Sequence, residues 1–315
     1  MKVFAYQNPN DKIRFQSSSG GLFTALATKV FDEGGIVYGA AFDDKWKVRH
    51  IRVSGADELW RLRGSKYVFS DFTESISLAL KDLEEGKSVL YSGTPCQIAA
   101  MRKRAGDNGN LLLVEVICHG APKPEYWTKY LNALCSRERT GISKIKLINF
   151  RDKATGWRNY SFHIDFINRR TIKEHHDDNL YMRAFLSNYS IRNACFICPF
   201  KYPNGSLADI TIGDFWGIEN LNEGKMDNDG TSLLIIRTNK GESFVVQCGL
   251  DLIRYKYDDA ILYNKSIEEN ATKPTKYNCF QEESMNGDFI ACLKRFVRRP
   301  FSLRLKRFII NILHN

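Results

Sequence analysis

The chain has 315 residues and a mass of 36.2 kDa, with 43% hydrophobic and 26% charged side chains and a formal charge of +10. Its ample apolar and aromatic content excludes a disordered chain, and no stretch approaches the ~18 apolar residues a membrane span needs. Eight cysteines are too few for a disulfide scaffold, and the first ten residues hold no apolar signal core, so a cytoplasmic, reducing location is expected, where cysteines serve as ligands, nucleophiles or core residues. In chain order, Ser17-Ser18-Ser19-Gly20-Gly21 offers an N-cap to a helix over 22–31, which Gly34-Gly35 ends. Residues 36–42 and 48–53 read as strands joined by a polar turn. Asp71-Phe72-Thr73-Glu74 resembles a capping box for a helix running to Glu85. A strand over 88–92 enters Gly93-Thr94-Pro95-Cys96 with a helix from Gln97, and a strand over 111–117 enters Cys118-His119-Gly120. Two apolar strands around one helix predict a parallel βαβ unit. Residues 145–172 alternate as a half-exposed antiparallel insertion, followed by strands over 209–212 and 233–238 and a helix over 242–248.

The expected fold is therefore α/β, a mixed sheet with flanking helices, an antiparallel insertion and a C-terminal amphipathic helical tail. Three segments are predicted: an N-terminal domain over 1–87, a cysteine-bearing domain over 88–263, and a polar linker with a basic tail over 264–315. The charge is unevenly placed. Residues 289–315 hold seven basic groups and no acidic ones, whereas the other 288 residues hold 39 basic against 36 acidic. A nearly neutral body argues against a nucleic-acid-binding face. Within the tail, Phe289, Ile290, Leu293, Phe296 and Val297 form one apolar stripe, and Phe301, Leu305, Phe308, Ile309 and Ile312 a second beyond Pro300. Such a basic amphipathic segment is either a peripheral contact with the inner membrane face or a terminal helix docked on the body.

Cys96 and Cys118 each follow the carboxyl end of a predicted buried strand, the edge at which open α/β sheets bind ligands. Cys195-Phe196-Ile197-Cys198-Pro199 is a Cys-x-x-Cys turn, which brings two thiolates to one metal centre. The four sulfurs could complete a cluster; equally, Cys96 and Cys118 could be core thiols and Cys195/Cys198 a redox pair. Cys135, Cys248, Cys279 and Cys292 occur singly and read as packing. Ser18-Ser19-Gly20-Gly21 at a helix start suits phosphate, and it is also an ordinary turn. Gly64-Ser65-Lys66-Tyr67 and the strand-ending run Asp209 to Gly217 are further candidate contacts. His119 offers a proton, and His175-His176 beside Asp177-Asp178 reads as a solvated loop.

In this order, Ser18-Ser19-Gly20-Gly21, Gly64-Ser65-Lys66-Tyr67, Gly93-Thr94-Pro95-Cys96-Gln97, Cys118-His119-Gly120, Cys195-x-x-Cys198 and Asp209-x-x-x-Gly213-Asp214-Phe215-Trp216 resemble the coenzyme F-420 hydrogenase/dehydrogenase beta-subunit family. The resemblance implies an iron–sulfur flavoprotein oxidoreductase carrying FAD and a 4Fe-4S cluster. Such a protein passes electrons between a ferredoxin-like or other redox partner and a small-molecule acceptor. It makes Cys96, Cys118, Cys195 and Cys198 the cluster ligands. Ser18, Ser19, Gly20, Gly21, Lys66, Tyr67 and Thr94 become flavin contacts, with Lys66 and His119 as catalytic groups. No cysteine precedes Cys96, so the chain resembles a short bacterial form without the ferredoxin-like N-terminal segment of many members. The rival reading is a non-redox accessory or transferase-like protein of envelope polysaccharide biosynthesis, keeping the fold and a structural metal.

Overall fold

A computed structural model describes residues 1–201, 205–221 and 228–298. Among these residues eleven strands form two sheets: β1 (Lys2–Tyr6), β2 (Ile36–Phe42), β3 (Val48–Val53), β4 (Val89–Gly93), β5 (Leu111–Val116), β6 (Ile145–Asp152), β7 (Ser161–Phe166), β8 (Thr171–His175), β9 (Ile210–Asp214), β10 (Ser232–Ile236) and β11 (Ile253–Tyr255). The larger sheet has eight strands in the order β11-β1-β10-β9-β5-β4-β2-β3. Its centre, β2-β4-β5-β9, is parallel, and both flanks are antiparallel. The fold is thus the mixed α/β sheet that the sequence predicts, with β6-β7-β8 as the separate antiparallel insertion.

Both faces of the central strands are covered, which is why these strands read as continuous apolar runs. On one face Leu22, Leu26, Ala27 and Val30 pack over Val37, Leu90, Leu112 and Ile212. On the other, Ile76, Ala79, Leu83, Ile98 and Met101 pack over Ile36, Tyr38, Tyr91 and Leu113. The insertion closes a third core around Trp127, Phe150, Phe162 and Tyr181. Because β4, β5 and β9 run parallel, their carboxyl ends deliver Thr94, Cys118 and Asp214 to one edge.

Several local expectations change. The helix Leu22–Asp32 is entered from Gly21 in the left-handed region (φ 86°) with no capping side chain, so the serines are spent elsewhere. The helix Thr73–Glu84 has Phe72 at its N-cap position and no capping box; Asp71 Oδ1 accepts instead from the Thr73 N–H at 3.1 Å. The next helix begins at Pro95, not Gln97, which puts Cys96 inside its first turn.

Residues 264–288 are not a plain linker. They contain the helix Tyr277–Asn286, with Tyr277, Phe280 and Ser284 buried. The first stripe of the basic tail faces the core rather than a membrane. The helix Phe289–Phe296 buries Phe289 and Leu293, followed by Val297, while Ile290 and Phe296 pack against the same core. The reason is a ready aromatic wall: Tyr126 stacks on Phe289 at 5.4 Å, and Tyr189 and Phe280 meet Phe296. Lys294, Arg295 and Arg298 remain exposed. The second stripe, from Phe301, lies outside the described residues. Among the described residues, no helix is long and apolar enough to cross a membrane.

Candidate functional site

A cavity of about 660 Å³ opens at the carboxyl edge of the parallel strands, within the usual size range of cofactor pockets. Ser18, Ser19, Gly21, Lys66, Tyr67, Thr94, Cys118 and His119 all line it; Gly20 does not. A Cβ on Gly20 would lie 2.3 Å from the Tyr6 carbonyl oxygen and 2.5 Å from the Ser232 nitrogen. That glycine serves the close approach of the loop to β1 and β10, a packing role.

The serine loop is held from several sides. Ser18 Oγ accepts from both the N–H and the hydroxyl of Ser65, tying the 64–67 loop to it. Ser19 donates to the Thr231 carbonyl at 2.8 Å. The buried Lys153 ammonium donates to the carbonyls of Arg14, Ser19 and Asp229, and burial pushes it down to about 8. With no capping side chain, the first turn of the helix Leu22–Asp32 borders the cavity, an arrangement that favours an anion.

Lys66 is half-buried in the cavity wall, and desolvation there lowers it to about 7. Its Nζ donates to the carbonyls of Arg61 (3.0 Å) and Arg63 (2.8 Å) at the end of a short 3-10 turn. His119 is pulled below the ordinary histidine range by burial. The Asn188 amide donates to the Thr272 carbonyl, so its Oδ1 faces His119 and takes the Nε2 proton at 2.6 Å. With Nε2 donating there, Nδ1 is the ring nitrogen of the neutral form that carries the lone pair.

All eight cysteines are free thiols. Cys96 comes from the helix Pro95–Ala105, Cys118 from the loop after β5, and Cys195 and Cys198 from a 3-10 turn and its end. The structure brings these four together. Burial pushes the Cys118 thiol up to about 12, and Cys195, Cys96 and Cys198 each push it the same way. No three of the sulfurs lie mutually within 4.8 Å, since the sole such ligand group among the described residues is elsewhere. One tetrahedral zinc with bonds of ~2.3 Å would need sulfurs ~3.8 Å apart. The donor set is soft, the kind of ligand that an iron–sulfur cluster takes.

Two features here escape sequence reasoning. Lys201 is buried and donates to the carbonyls of His119 and Glu269, both at 3.2 Å. Its ammonium feels Cys118, Cys198 and Cys195, so it offsets negative charge where thiolates gather. The other is a hydrogen-bond chain along the cavity wall. His50 donates from Nε2 to the Ser92 carbonyl at 2.8 Å and accepts at Nδ1 from the Ser70 hydroxyl at 2.9 Å. Gln97 Nε2 donates to Ser70 Oγ, and Gln97 Oε1 accepts from the N–H and the hydroxyl of Thr94. Thr94 Oγ1 ends the chain 3.3 Å from Cys96 Sγ.

Burial drops His50 to about 4, below an unfolded value of about 6.5. A depressed pKa stabilises the fold above the unfolded value, and that contribution is lost as pH falls from about 6.5 to about 4. The midpoint of urea unfolding should therefore fall over this window, and less steeply in His50→Asn; equal slopes would remove His50 as the cause.

The far wall holds Arg151, also missed. It is buried, with its guanidinium 4.4 Å from the Tyr160 ring centre and 5.2 Å from that of Trp216. Arg151 Nη1 donates to Asp214 Oδ2 at 2.7 Å and to the Tyr67 hydroxyl at 3.3 Å, while Nε has no hydrogen-bond partner among the described residues. Trp157 donates to Asp214 Oδ1 and stacks on Trp216 at 4.6 Å. Of the run from Asp209 to Gly217, Ile212, Gly213, Asp214 and Trp216 line the cavity. Phe215 is core, and the buried Asp209 accepts from the Leu113 N–H and the Thr238 hydroxyl.

Comparison with protein families decides the lineage. The model for the C-terminal part of the coenzyme F420 hydrogenase/dehydrogenase beta subunit matches residues 86–251, and the model for the N-terminal part of the same subunit matches residues 3–77. The chain belongs to this beta-subunit family. All four clustered cysteines fall in the C-terminal match and the serine loop in the N-terminal one, whereas the cavity residues Tyr263 to Ser266 lie beyond both. Among solved structures, the chain is similar to a chain of the xenon-derivatised F420-reducing [NiFe] hydrogenase complex from Methanosarcina barkeri. The TM-score is 0.56 at 18% identity, covering 91% of this chain and 93% of that one, a likeness of fold. Comparison with curated proteins finds no match.

Proposed function

We propose that this beta-subunit family member is an oxidoreductase that passes electrons between a redox partner protein and a small acceptor. In this reading Cys96, Cys118, Cys195 and Cys198 hold a 4Fe-4S cluster, and the cavity holds FAD. A cluster supplies one-electron transfer, and a flavin exchanges single electrons with hydride. The observation that carries the reading is the position of Cys118: it has the other three thiols as neighbours and also lines the cavity.

The chain's own residues have defined tasks under this reading. The uncapped start of the helix Leu22–Asp32 and the Ser18–Ser65 latch receive the phosphate end of the nucleotide. Lys201 balances thiolate charge from the side of His119 and Glu269. Lys66, lowered to about 7, exchanges a proton at Nζ near neutral pH, and His119 accepts one at Nδ1. Arg151, paired with Asp214, holds an Nε N–H with no partner among the described residues, suited to an acceptor atom of the substrate or cofactor. The test is anaerobic purification with metal and flavin analysis. The reading expects a brown protein with about four irons per chain and bound flavin. A colourless protein that takes up neither iron nor flavin on reconstitution overturns it.

A further inference from the structure

One group of donor atoms has no task in electron transfer between cluster and flavin. His175 ends β8, and His176 and Asp177 follow in the turn leading to the helix Leu180–Leu186. Their ligand atoms lie within 4.8 Å of one another, and no other such group of three occurs among the described residues. The sequence reads this run as a solvated loop, yet the side chains of His175 and His176 are only 24% and 16% exposed.

The turn is fixed by its backbone. The His175 carbonyl accepts from the N–H groups of Asp178 (2.7 Å) and Asn179 (3.0 Å), and the His176 N–H donates to the Tyr160 carbonyl at 3.2 Å. Asn179 then caps the following helix by accepting from the Met182 N–H. The two imidazole rings lie 4.1 Å apart, and His176 stacks on Tyr160 at 4.3 Å. The donors are therefore held in place before any ion arrives.

Hydrogen bonding also fixes where the His176 proton sits. Its Nδ1 is 3.0 Å from the Tyr160 carbonyl oxygen, which only accepts, so Nδ1 donates and in the neutral ring Nε2 presents a lone pair. That lone pair lies 3.4 Å from Asp177 Oδ1. The other carboxylate oxygen is 4.0 Å from His175 Nδ1, which accepts the Asp177 N–H at 3.2 Å. A ring N–H fixed on a backbone carbonyl is the usual support of a metal-binding imidazole.

We infer that His175, His176 and Asp177 form a binding site for a divalent late first-row transition ion. Two imidazoles and a carboxylate are the donors such ions take, at bonds of about 2.0–2.2 Å. The mostly exposed Asp177 can rotate inward to that length, and water completes the coordination. The site is separate from the four cysteines. It borders the cavity wall through Tyr160, whose ring meets both the His176 ring and the Arg151 guanidinium. The competing occupant is a single proton, shared as an imidazolium–carboxylate pair.

The test uses the full chain purified anaerobically with its iron in place, dialysed against Zn²⁺ and counted for zinc, with His163→Ala as a control. Wild type and His163→Ala should hold one Zn²⁺ per chain more than His176→Ala or Asp177→Asn. Added Zn²⁺ should raise the thermal midpoint of the first pair only. The exposed Asp177→Asn keeps the comparison valid if His176→Ala fails to fold. Equal zinc counts in wild type and Asp177→Asn, or no bound zinc in wild type, would leave the proton as sole occupant and overturn the site. Neither outcome depends on the redox reading, because the cysteines are intact in every variant.

Discussion

Under the proposed cluster assignment, Cys118→Ser should abolish the brown absorbance and reduce bound iron from about four per chain to nearly none, while bound flavin persists. The argument rests on what serine changes and what it leaves. Serine keeps the size of cysteine, so the cavity wall that Cys118 shares is undisturbed. It replaces a soft sulfur donor by a hard hydroxyl oxygen, and iron–sulfur clusters take thiolates. Cys118 is also the sulfur on which Cys195, Cys96 and Cys198 all act, which places it among the other three proposed ligands. Cys135→Ser supplies the contrast, because Cys135 is buried in the core with Trp127 and Leu131. That variant should keep its iron and lose stability by roughly 1–3 kcal/mol, the cost of an unpaired buried hydroxyl. Iron analysis and visible spectra of both variants decide the matter. A Cys118→Ser protein with its full iron content would remove Cys118 from the ligand set.

Much of this arrangement was legible in the residues, for identifiable reasons. The strands β2 and β3 are found at their predicted bounds because short apolar runs flank a polar turn, and both signals are local. The cysteines were legible because strand ends and a two-residue spacing are local patterns that map onto one sheet edge. Lys201 and Arg151 were not, since a lone basic residue has no local mark of burial. Only the packing of distant segments reveals it: Lys201 bonds to residue 269, and Arg151 to residue 214. The chain from His50 to Cys96 was hidden for the same reason, being assembled from an edge strand, a loop and a helix start. The helix Tyr277–Asn286 was masked by composition. Its buried positions Tyr277, Phe280 and Ser284 have helical spacing, but the polar residues among them outweigh that signal. The first stripe of the tail carried a real amphipathic pattern, and what the pattern could not specify was its partner. The aromatic wall that receives it comes from residues 126, 189 and 280.

Asp214→Ala should be the most destabilising single change in the cavity wall, at about 3–5 kcal/mol, because it strands a buried guanidinium. Arg151 lies between two aromatic rings, and desolvation there opposes its charge. Asp214 is the largest influence that restores it, through the 2.7 Å contact from Nη1 to Oδ2. The same carboxylate accepts from Trp157 Nε1 at 3.0 Å, so its loss also leaves the indole N–H without that partner. The nearest alternative oxygen for Arg151 Nη1 is the Tyr67 hydroxyl at 3.3 Å, a neutral group that carries no compensating charge. Asp214→Asn should fall between, since an amide oxygen still accepts one bond but offsets no charge. Arg151→Met, which removes the charge and keeps an unbranched apolar stem between Tyr160 and Trp216, should lose less stability than Asp214→Ala. Pairing it with Asp214→Ala should give a double variant more stable than Asp214→Ala alone, because the stranded cation is gone. Urea unfolding midpoints of the four proteins measure this order. A double variant that is less stable than Asp214→Ala would show that Asp214 acts through Trp157 and the backbone rather than as the counter-charge of Arg151.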